Sequence, residues 1–222
     1  MKVKLVLGIV CLALMCAVPG AQAATLLWNN GAPDSVWGAE MASYLPANDF
    51  TFGSSQTVTN VRFWAVAADG FGTPDPGVYN NSIVWQIYDD GGGQPGSLLN
   101  SGTAAPTPVS SHATGWGQSY RFDFSITPTT LGPGAYWLAL HNGPMTTQGD
   151  SNYYWESSGT GGVLAYAAAA GGGAWGLWET YPLGASFAFE LYNGNPVPLP
   201  GAVWLLGSGL LGLIGLRKKL RS

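Results

Sequence analysis

Apolar and polar residues alternate one by one along several stretches of this 222-residue chain. In the clearest stretch, Tyr120, Phe122, Phe124 and Ile126 occupy every second position, with charged or hydroxyl-bearing residues between them. Successive side chains of a β-strand point to opposite faces of its sheet. The period of two therefore predicts a strand with one buried aromatic face and one polar face.

Clusters of Gly, Pro, Asp and Asn, as in residues 89–96 and 131–134, separate the apolar stretches, and these residue types favour tight turns. No sustained 3.6-residue period indicates a helix between residues 24 and 195. About eight to ten short strands at this spacing predict an all-β fold, an antiparallel β-sandwich of jelly-roll type. Besides residues 120–126, the predicted strands cover residues 49–52, 58–66, 83–87, 136–140, 152–156, 162–167, 174–178 and 187–191.

Charged residues make up only 9% of the chain, and six of the eight Lys and Arg residues lie in the terminal segments. The part of the chain between those segments contains two basic residues, Arg62 and Arg121, and all twelve Asp and Glu residues. Residues 24–195 therefore carry a formal charge of about −10 with neutral histidines. A domain this acidic lacks the cationic surface that binds a phosphate backbone, which excludes nucleic acid as a partner.

Residues 1–23 combine two lysines, an apolar run of about 14 residues and the small-residue ending Ala21-Gln22-Ala23. This order is typical of a secretory signal peptide that signal peptidase removes after Ala23, during export by the Sec machinery. A permanent anchor is the alternative, but the run is shorter than the roughly 20 residues that cross a bilayer. Because Cys11 and Cys16 lie in this segment, the mature chain is predicted to have no thiol and no disulfide.

Residues 201–216 contain no charge, and a basic tail at residues 217–222 follows them. A helix over this apolar segment would be about 24 Å long, slightly short of a hydrocarbon core of about 30 Å. We predict a single transmembrane helix that holds the chain transiently, with its basic tail in the cytoplasm. A buried core helix is the alternative, which the terminal cations disfavour. These cations are Arg217, Lys218, Lys219 and Arg221.

A short proline motif, Val197, Pro198, Leu199 and Pro200, directly precedes the apolar segment. The order of motif, apolar helix and basic cluster over residues 196–222 resembles the PEP-CTERM sorting signal of Gram-negative bacteria, in its Val-Pro-Leu-Pro variant. Leu199 stands where members of that family frequently carry Glu. The resemblance implies that a membrane-embedded exosortase recognises and cuts this motif. The chain would then pass through the inner membrane to the cell surface or the medium.

No motif in the chain indicates a catalytic residue, a cofactor or a metal centre. His112 and His141 lie apart from any nucleophile elbow or metalloprotease motif, and isolated histidines are mostly structural or surface residues. Glu156, Glu179 and Glu190 are carboxylates on predicted strands. Hydrolysis of a glycoside would need two of them to face each other.

Four aspartates are candidates for calcium binding, since carboxylate oxygens are the ligands that Ca²⁺ prefers. Asp89 and Asp90 are followed by glycines rather than by further ligands, and Asp69 and Asp75 lie near a Gly- and Pro-rich turn. This arrangement fits no EF-hand loop. An acidic turn is therefore the prediction.

Nine of the ten tryptophans lie between the terminal segments. Their rings can stack on sugars, and they can equally fill a core that has much glycine and no disulfide. Trp116, Trp155, Trp175 and Trp178 lie near turns or among few apolar residues. These four are the candidate ligand-stacking residues, with burial in the core as the alternative for each.

These features together predict an exported, exosortase-sorted envelope or extracellular protein. Its expected role is structural and non-enzymatic, in association with an exopolysaccharide or biofilm matrix, and a polysaccharide is its candidate ligand. The alternative is a secreted carbohydrate-active enzyme with a carboxylate pair on the β-sandwich of residues 24–195. Two glutamates about 5 to 9.5 Å apart in an aromatic cleft would favour that alternative.

Overall fold

A computed structural model of the chain describes residues 24–68, 79–146, 152–159, 164–168, 174–177 and 186–194. These ranges contain fourteen β-strands and no helix, and every strand pairing among them is antiparallel. The strands are β1 (Thr25–Asn29), β2 (Pro33–Glu40), β3 (Tyr44–Phe52), β4 (Gln56–Ala67), β5 (Ile83–Asp90), β6 (Pro95–Ala104), β7 (Val109–Ala113), β8 (Gln118–Leu131), β9 (Gly134–Asn142), β10 (Tyr153–Ser158), β11 (Leu164–Ala168), β12 (Gly176–Leu177), β13 (Ser186–Phe187) and β14 (Phe189–Asn193).

The first sheet is organised around β4 and β8, which pair over the whole length of β4. On its other side β4 pairs with β14 and then with β10. β1 adds to β14, β2 and β13 add to β10, and β7 adds to β8. Val61, Phe63 and Ala65 of β4 are buried in the core, so Arg62 and Trp64 between them lie on the outer face of this sheet.

The second sheet has six strands in the order β12-β11-β3-β9-β5-β6. Phe50 and Phe52 of β3, together with Leu138 and Leu140 of β9, belong to the same core cluster as the apolar residues of the first sheet. The ring centroid of Phe50 lies 6.4 Å from that of Phe189 in β14. The two sheets therefore form two layers around one apolar core.

Stacked aromatic rings fill the centre of this core. Phe63 stacks on Phe122 with centroids 4.8 Å apart, and Trp155 stacks on Phe187 at 4.7 Å. All four side chains are fully buried. Truncating such a ring to alanine costs about 3–5 kcal/mol, so large rings stabilise a domain that has no cysteine between residues 24 and 195.

A buried polar cluster joins the two sheets beside the apolar core. The Oδ1 atom of Asn48 in β3 accepts hydrogen bonds from Asn30 Nδ2 (2.9 Å), Ser186 Oγ (2.6 Å) and Phe187 N (2.6 Å). Asn30 follows β1, while Ser186 and Phe187 form β13, so these bonds cross from the second sheet to the first. The cluster satisfies polar groups that would be costly to bury alone.

The predicted all-β, antiparallel sandwich-like fold is confirmed, and each predicted strand overlaps an observed one. Sequence patterns missed β1, β2, β6 and β7. Within the described residues each of these four strands pairs on one side only. An edge strand is partly solvated, so its sequence need not alternate as strictly as that of a central strand. The pattern in β6, for example, is Pro-Gly-Ser-Leu-Leu-Asn-Ser-Gly-Thr-Ala, and most of its residues are exposed.

The predicted targeting segments lie outside the described residues. They comprise the signal-cleavage residues Ala21 and Ala23, the motif at residues 197–200, the apolar segment 201–216 and the basic tail 217–222. Within the described ranges, no helix has the length and apolar character needed to cross a membrane.

Candidate ligand-binding site

Trp116 lies in the tight turn between β7 and β8, over the outer face of the first sheet. Thr114 closes the turn by donating from its backbone N (2.8 Å) and its Oγ1 (2.9 Å) to the carbonyl of Gly117. A Cβ at position 117 would lie 2.5 Å from the carbonyl oxygen of Ala67. Only glycine therefore lets the turn approach the sheet this closely.

Two neighbouring strands fix the indole ring of Trp116. Its Nε1 donates to the carbonyl of Ser35 in β2 (3.2 Å), and its ring meets Tyr154 of β10 edge to face with centroids 5.5 Å apart. A Cβ on Gly38 would lie 3.3 Å from the Cη2 atom of Trp116, so the ring rests over a strand position without a side chain. Trp116 and Tyr154 are both half-buried. The ring is thus held in one orientation while part of it stays accessible.

Glu156 of β10 is a fully buried carboxylate next to this turn. It accepts hydrogen bonds from Ser119 Oγ (2.5 Å), from the backbone N of Ser35 (3.2 Å) and from His112 Nε2 (3.1 Å). A buried charge is tolerated only when such partners replace its lost hydration. Glu156 therefore links β2, β7 and β8 to β10.

His112 of β7 completes the polar side of the site, with one third of its side chain exposed. Its Nε2 lies 3.1 Å from Glu156 Oε1 and 3.0 Å from Ser35 Oγ, while its Nδ1 lies 3.1 Å from Ser111 Oγ. Because an ionised carboxylate can only accept, the network assigns the proton to Nε2. Nδ1 then faces the hydroxyl of the exposed Ser111.

Ser35 connects all parts of the site. Its carbonyl binds Trp116, its amide binds Glu156 and its hydroxyl contacts His112. Its φ of +62° lies in the left-handed region, which is uncommon for a residue with a side chain. The preceding Asp34 accepts from Val36 N (3.0 Å) across this position, as in an Asx turn. This local bond supports the unusual backbone of Ser35.

The four tryptophans predicted to stack on a ligand lie in different places. Trp116 is the one in the site just described. Trp155 requires a correction: it is fully buried, stacks on Phe187 and donates from Nε1 to the Ala188 carbonyl (3.0 Å), so it is a core residue. Trp175 is half-buried against Tyr88, on the second sheet. Trp178 lies outside the described residues.

Glu156 and Glu190, the two candidate carboxylates among the described residues, belong to different hydrogen-bond networks. Glu190 of β14 belongs to an ion cluster in which Arg62 binds it (3.3 Å) and also binds Asp123 (2.5 Å). Arg121 binds the other oxygen of Asp123 (2.8 Å). Burial disfavours the charge of Arg62, but the hydrogen bond and charge of Asp123 outweigh it and raise the Arg62 pKa. Glu190 and Glu156 have no hydrogen-bond partner in common, and Glu179 lies outside the described residues.

Asp89 accepts a hydrogen bond from the backbone N of Ser97 in β6, and Asp90 accepts from the backbone amides of Gly92 and Gly93 in the turn between β5 and β6. The hydrogen bond from Trp137 Nε1 (3.0 Å), together with these amides, lowers the pKa of Asp90. Both carboxylates thus stabilise the hairpin that β5 and β6 form. Asp69 and Asp75 lie outside the described residues, and within the described ranges no three His, Cys, Asp or Glu residues are grouped to hold a metal ion.

His141 is fully buried at the end of β9, away from solvent. Its two ring nitrogens lie 2.9 Å from the Ala42 carbonyl oxygen and 3.0 Å from that of Gly143. These contacts tie the connection between β2 and β3 to the end of β9. They indicate a structural residue, since both nitrogens face backbone oxygens rather than a cleft.

Comparison with known proteins found no matching family model, no matching curated protein and no matching solved structure. The site therefore has to be interpreted from its own chemistry. Sequence analysis singled out Trp116, His112 and Glu156 separately but did not place them together. It missed Ser35 and Tyr154. For Ser35 the sequence did contain a clue, because Pro33, Asp34 and Ser35 are residue types that favour a turn.

Proposed function

We propose that this chain is an exported protein that binds a matrix polysaccharide at Trp116, in a structural role that needs no catalytic step. The observation that carries the proposal is the fixed, half-buried indole of Trp116, held by Ser35 and Tyr154 and bordered by hydroxyl groups and His112. A sugar presents an apolar ring face and a rim of hydroxyls. An aromatic ring with polar neighbours complements both.

The targeting part of the proposal rests on the sequence at the two ends. Signal peptidase would cut after Ala23, and exosortase would act at residues 197–200 while a helix over residues 201–216 holds the chain in the inner membrane. The uncharged segment followed by four cations supports this route. The proposal also includes a jelly-roll type of sandwich, which the antiparallel two-layer core supports.

We do not propose the glycosidase alternative, because no observation favours it. A glycoside hydrolase needs two carboxylates on opposite sides of one bond. Glu156 is fully buried and accepts three hydrogen bonds, while Glu190 is neutralised by Arg62. Glu156 therefore has no exposed surface to offer a substrate, and Glu190 is engaged by a cation.

A glycan-binding measurement on the purified full-length chain in mild detergent tests the proposed binding. The chain should bind a polysaccharide without releasing product, and Trp116→Ala should weaken binding by about 1–3 kcal/mol, the scale of one lost aromatic contact. Trp175→Ala, which removes a half-buried ring elsewhere, is the matched control. Equal losses in both variants, or no binding by the parent chain, would contradict the proposal.

Mass spectrometry of the extracellular fraction tests the proposed sorting. The released protein should begin at Ala24 and end at or near residues 197–200. Replacing Pro198 and Pro200 should leave the chain in the inner membrane, because the motif is what the sorting enzyme would recognise. Intact extracellular protein ending at Ser222 would contradict processing.

A further inference from the structure

We infer that the polysaccharide at Trp116 is uncharged, an inference that rests on the proposed binding function and names its ligand class. Polysaccharides outside cells include anionic polymers with uronate groups, cationic polymers with amino groups, and neutral ones. The charges of the described residues discriminate among these three classes.

Recognition of an anionic sugar would require an available cation. Arg62 and Arg121 are the only Lys or Arg residues between positions 24 and 195. Asp123 binds both of them, and Glu190 binds Arg62 a second time. Arg62 also lies over the ring of Tyr192, 5.4 Å from its centroid. The two cations are thus already neutralised by neighbouring acids.

The surroundings of Trp116 add negative rather than positive charge. Glu156 lies beneath the site, and Asp34 directly precedes Ser35. The formal charge of about −10 between the terminal segments extends the same sign over the domain. A polyuronate approaching Trp116 would therefore be repelled, and both arginines of the domain are already paired with acids.

A cationic sugar would need an exposed carboxylate, and Glu156, the carboxylate that joins the strands of the site, is fully buried. Glu156 has no exposed surface and accepts from Ser119, Ser35 and His112. Asp34 accepts from Val36 N (3.0 Å) and from Ser157 Oγ (2.5 Å). Both oxygens of Glu156 are therefore occupied, and the Oδ1 atom of Asp34 is occupied in the same way.

The polar side chains at the rim suit neutral hydroxyl groups. Ser35 and Ser111 carry hydroxyls, which donate and accept, and each hydroxyl lies next to a ring nitrogen of His112. Sugar hydroxyls have the same dual capacity. The combination of one fixed ring and uncharged donors and acceptors therefore matches a neutral glycan.

The test compares three kinds of polymer by affinity gel electrophoresis of the full-length chain in mild detergent. The probes are neutral β-glucan, galactomannan and xylan, anionic polygalacturonate, and cationic chitosan, each at 50 and 500 mM NaCl. At least one neutral polymer should bind, with an affinity that changes less than about twofold between the two salt concentrations, because no charge pair is screened. Trp116→Ala should reduce that binding by about five- to 150-fold, the equivalent of the loss expected above, and Trp116→Phe should retain part of it, because Phe keeps a ring.

The outcomes separate this inference from the proposed function. Binding of polygalacturonate that Trp116→Ala abolishes, or salt-sensitive binding of chitosan at the same residue, would overturn the neutral-ligand inference while the binding function stands. Binding of none of the five polymers would overturn both. Ser111→Ala should lower affinity for the neutral polymer without creating affinity for polygalacturonate, and gain of the latter would also count against the inference.

Discussion

Single side chains decide how the two sheets meet, and Asn48 is the clearest case. Its Oδ1 receives three donors from two segments of the first sheet. Polar residues are rare in cores because each buried donor needs an acceptor. No sequence pattern indicated this role. Asn48 directly precedes the predicted strand at residues 49–52, and an Asn at that position is typical of a turn at the end of a strand.

Asn48→Ala should lower the free energy of unfolding by about 3 kcal/mol, because buried donors at Ser186 and Phe187 lose their acceptor. Urea denaturation followed by tryptophan fluorescence measures the loss. The exposed Asn193→Ala is the control and should stay within about 0.5 kcal/mol of the parent chain. A similarly small effect at Asn48 would contradict the role assigned to the cluster.

Tyrosine burial predicts how stability changes at alkaline pH. Burial raises the pKa of Tyr79 to about 12, and burial together with Glu190 raises that of Tyr192 to about 12, against an ordinary value of 10.0. The unfolded chain therefore releases these protons first. The corresponding stability is complete below pH 10 and is lost as the pH rises toward 12.

Urea midpoints between pH 9 and 11.5 test this expectation. The midpoint should fall above pH 10, and Tyr79→Phe should make the fall shallower because Phe has no proton to release. A midpoint that stays flat over this range would contradict the raised pKa values.

At the scale of elements, the central strands were predictable and the edges were not. β4 and β8 each bury one face between the two layers. Apolar residues, among them Phe63 in β4 and Phe122 in β8, therefore occupy every second position of these strands. β2 contains Pro33 and Gly38, which lower strand propensity, yet β2 supplies Ser35 to the site. The site depends on backbone groups of this edge strand, and such contacts leave little trace in a sequence.

Gly38→Ala tests the packing of β2 against β10. The added Cβ would lie 2.7 Å from the Trp155 carbonyl oxygen and 2.8 Å from the Cβ of Tyr154, so β2 would have to move. We expect a loss of about 1–3 kcal/mol in stability and weaker glycan binding, as for other overpacked sites. Gly53→Ala, where no atom lies within 4 Å of the new Cβ, should be neutral or slightly stabilising. Equal effects of the two substitutions would contradict this packing.

At the scale of the whole molecule, charge and aromatic content were readable from the sequence, whereas the location of binding was not. The four candidate tryptophans could be selected only by their distance from apolar runs. The structure places Trp155 in the core, because adjacent strand residues such as Tyr154 and Trp155 face opposite sides of the sheet, and it leaves Trp116 half-buried in the turn between β7 and β8. Burial depends on which strands pair, and that is a property of the assembled fold.

Hydrogen exchange of the full-length chain, with and without a bound neutral polysaccharide, tests the central claim most directly because it locates the ligand. We expect slower exchange in residues 34–36 and 111–117, where the turn and β2 hold Trp116, and no change around Tyr88 and Trp175. Protection confined to Tyr88 and Trp175, with residues 111–117 unaffected, would contradict it.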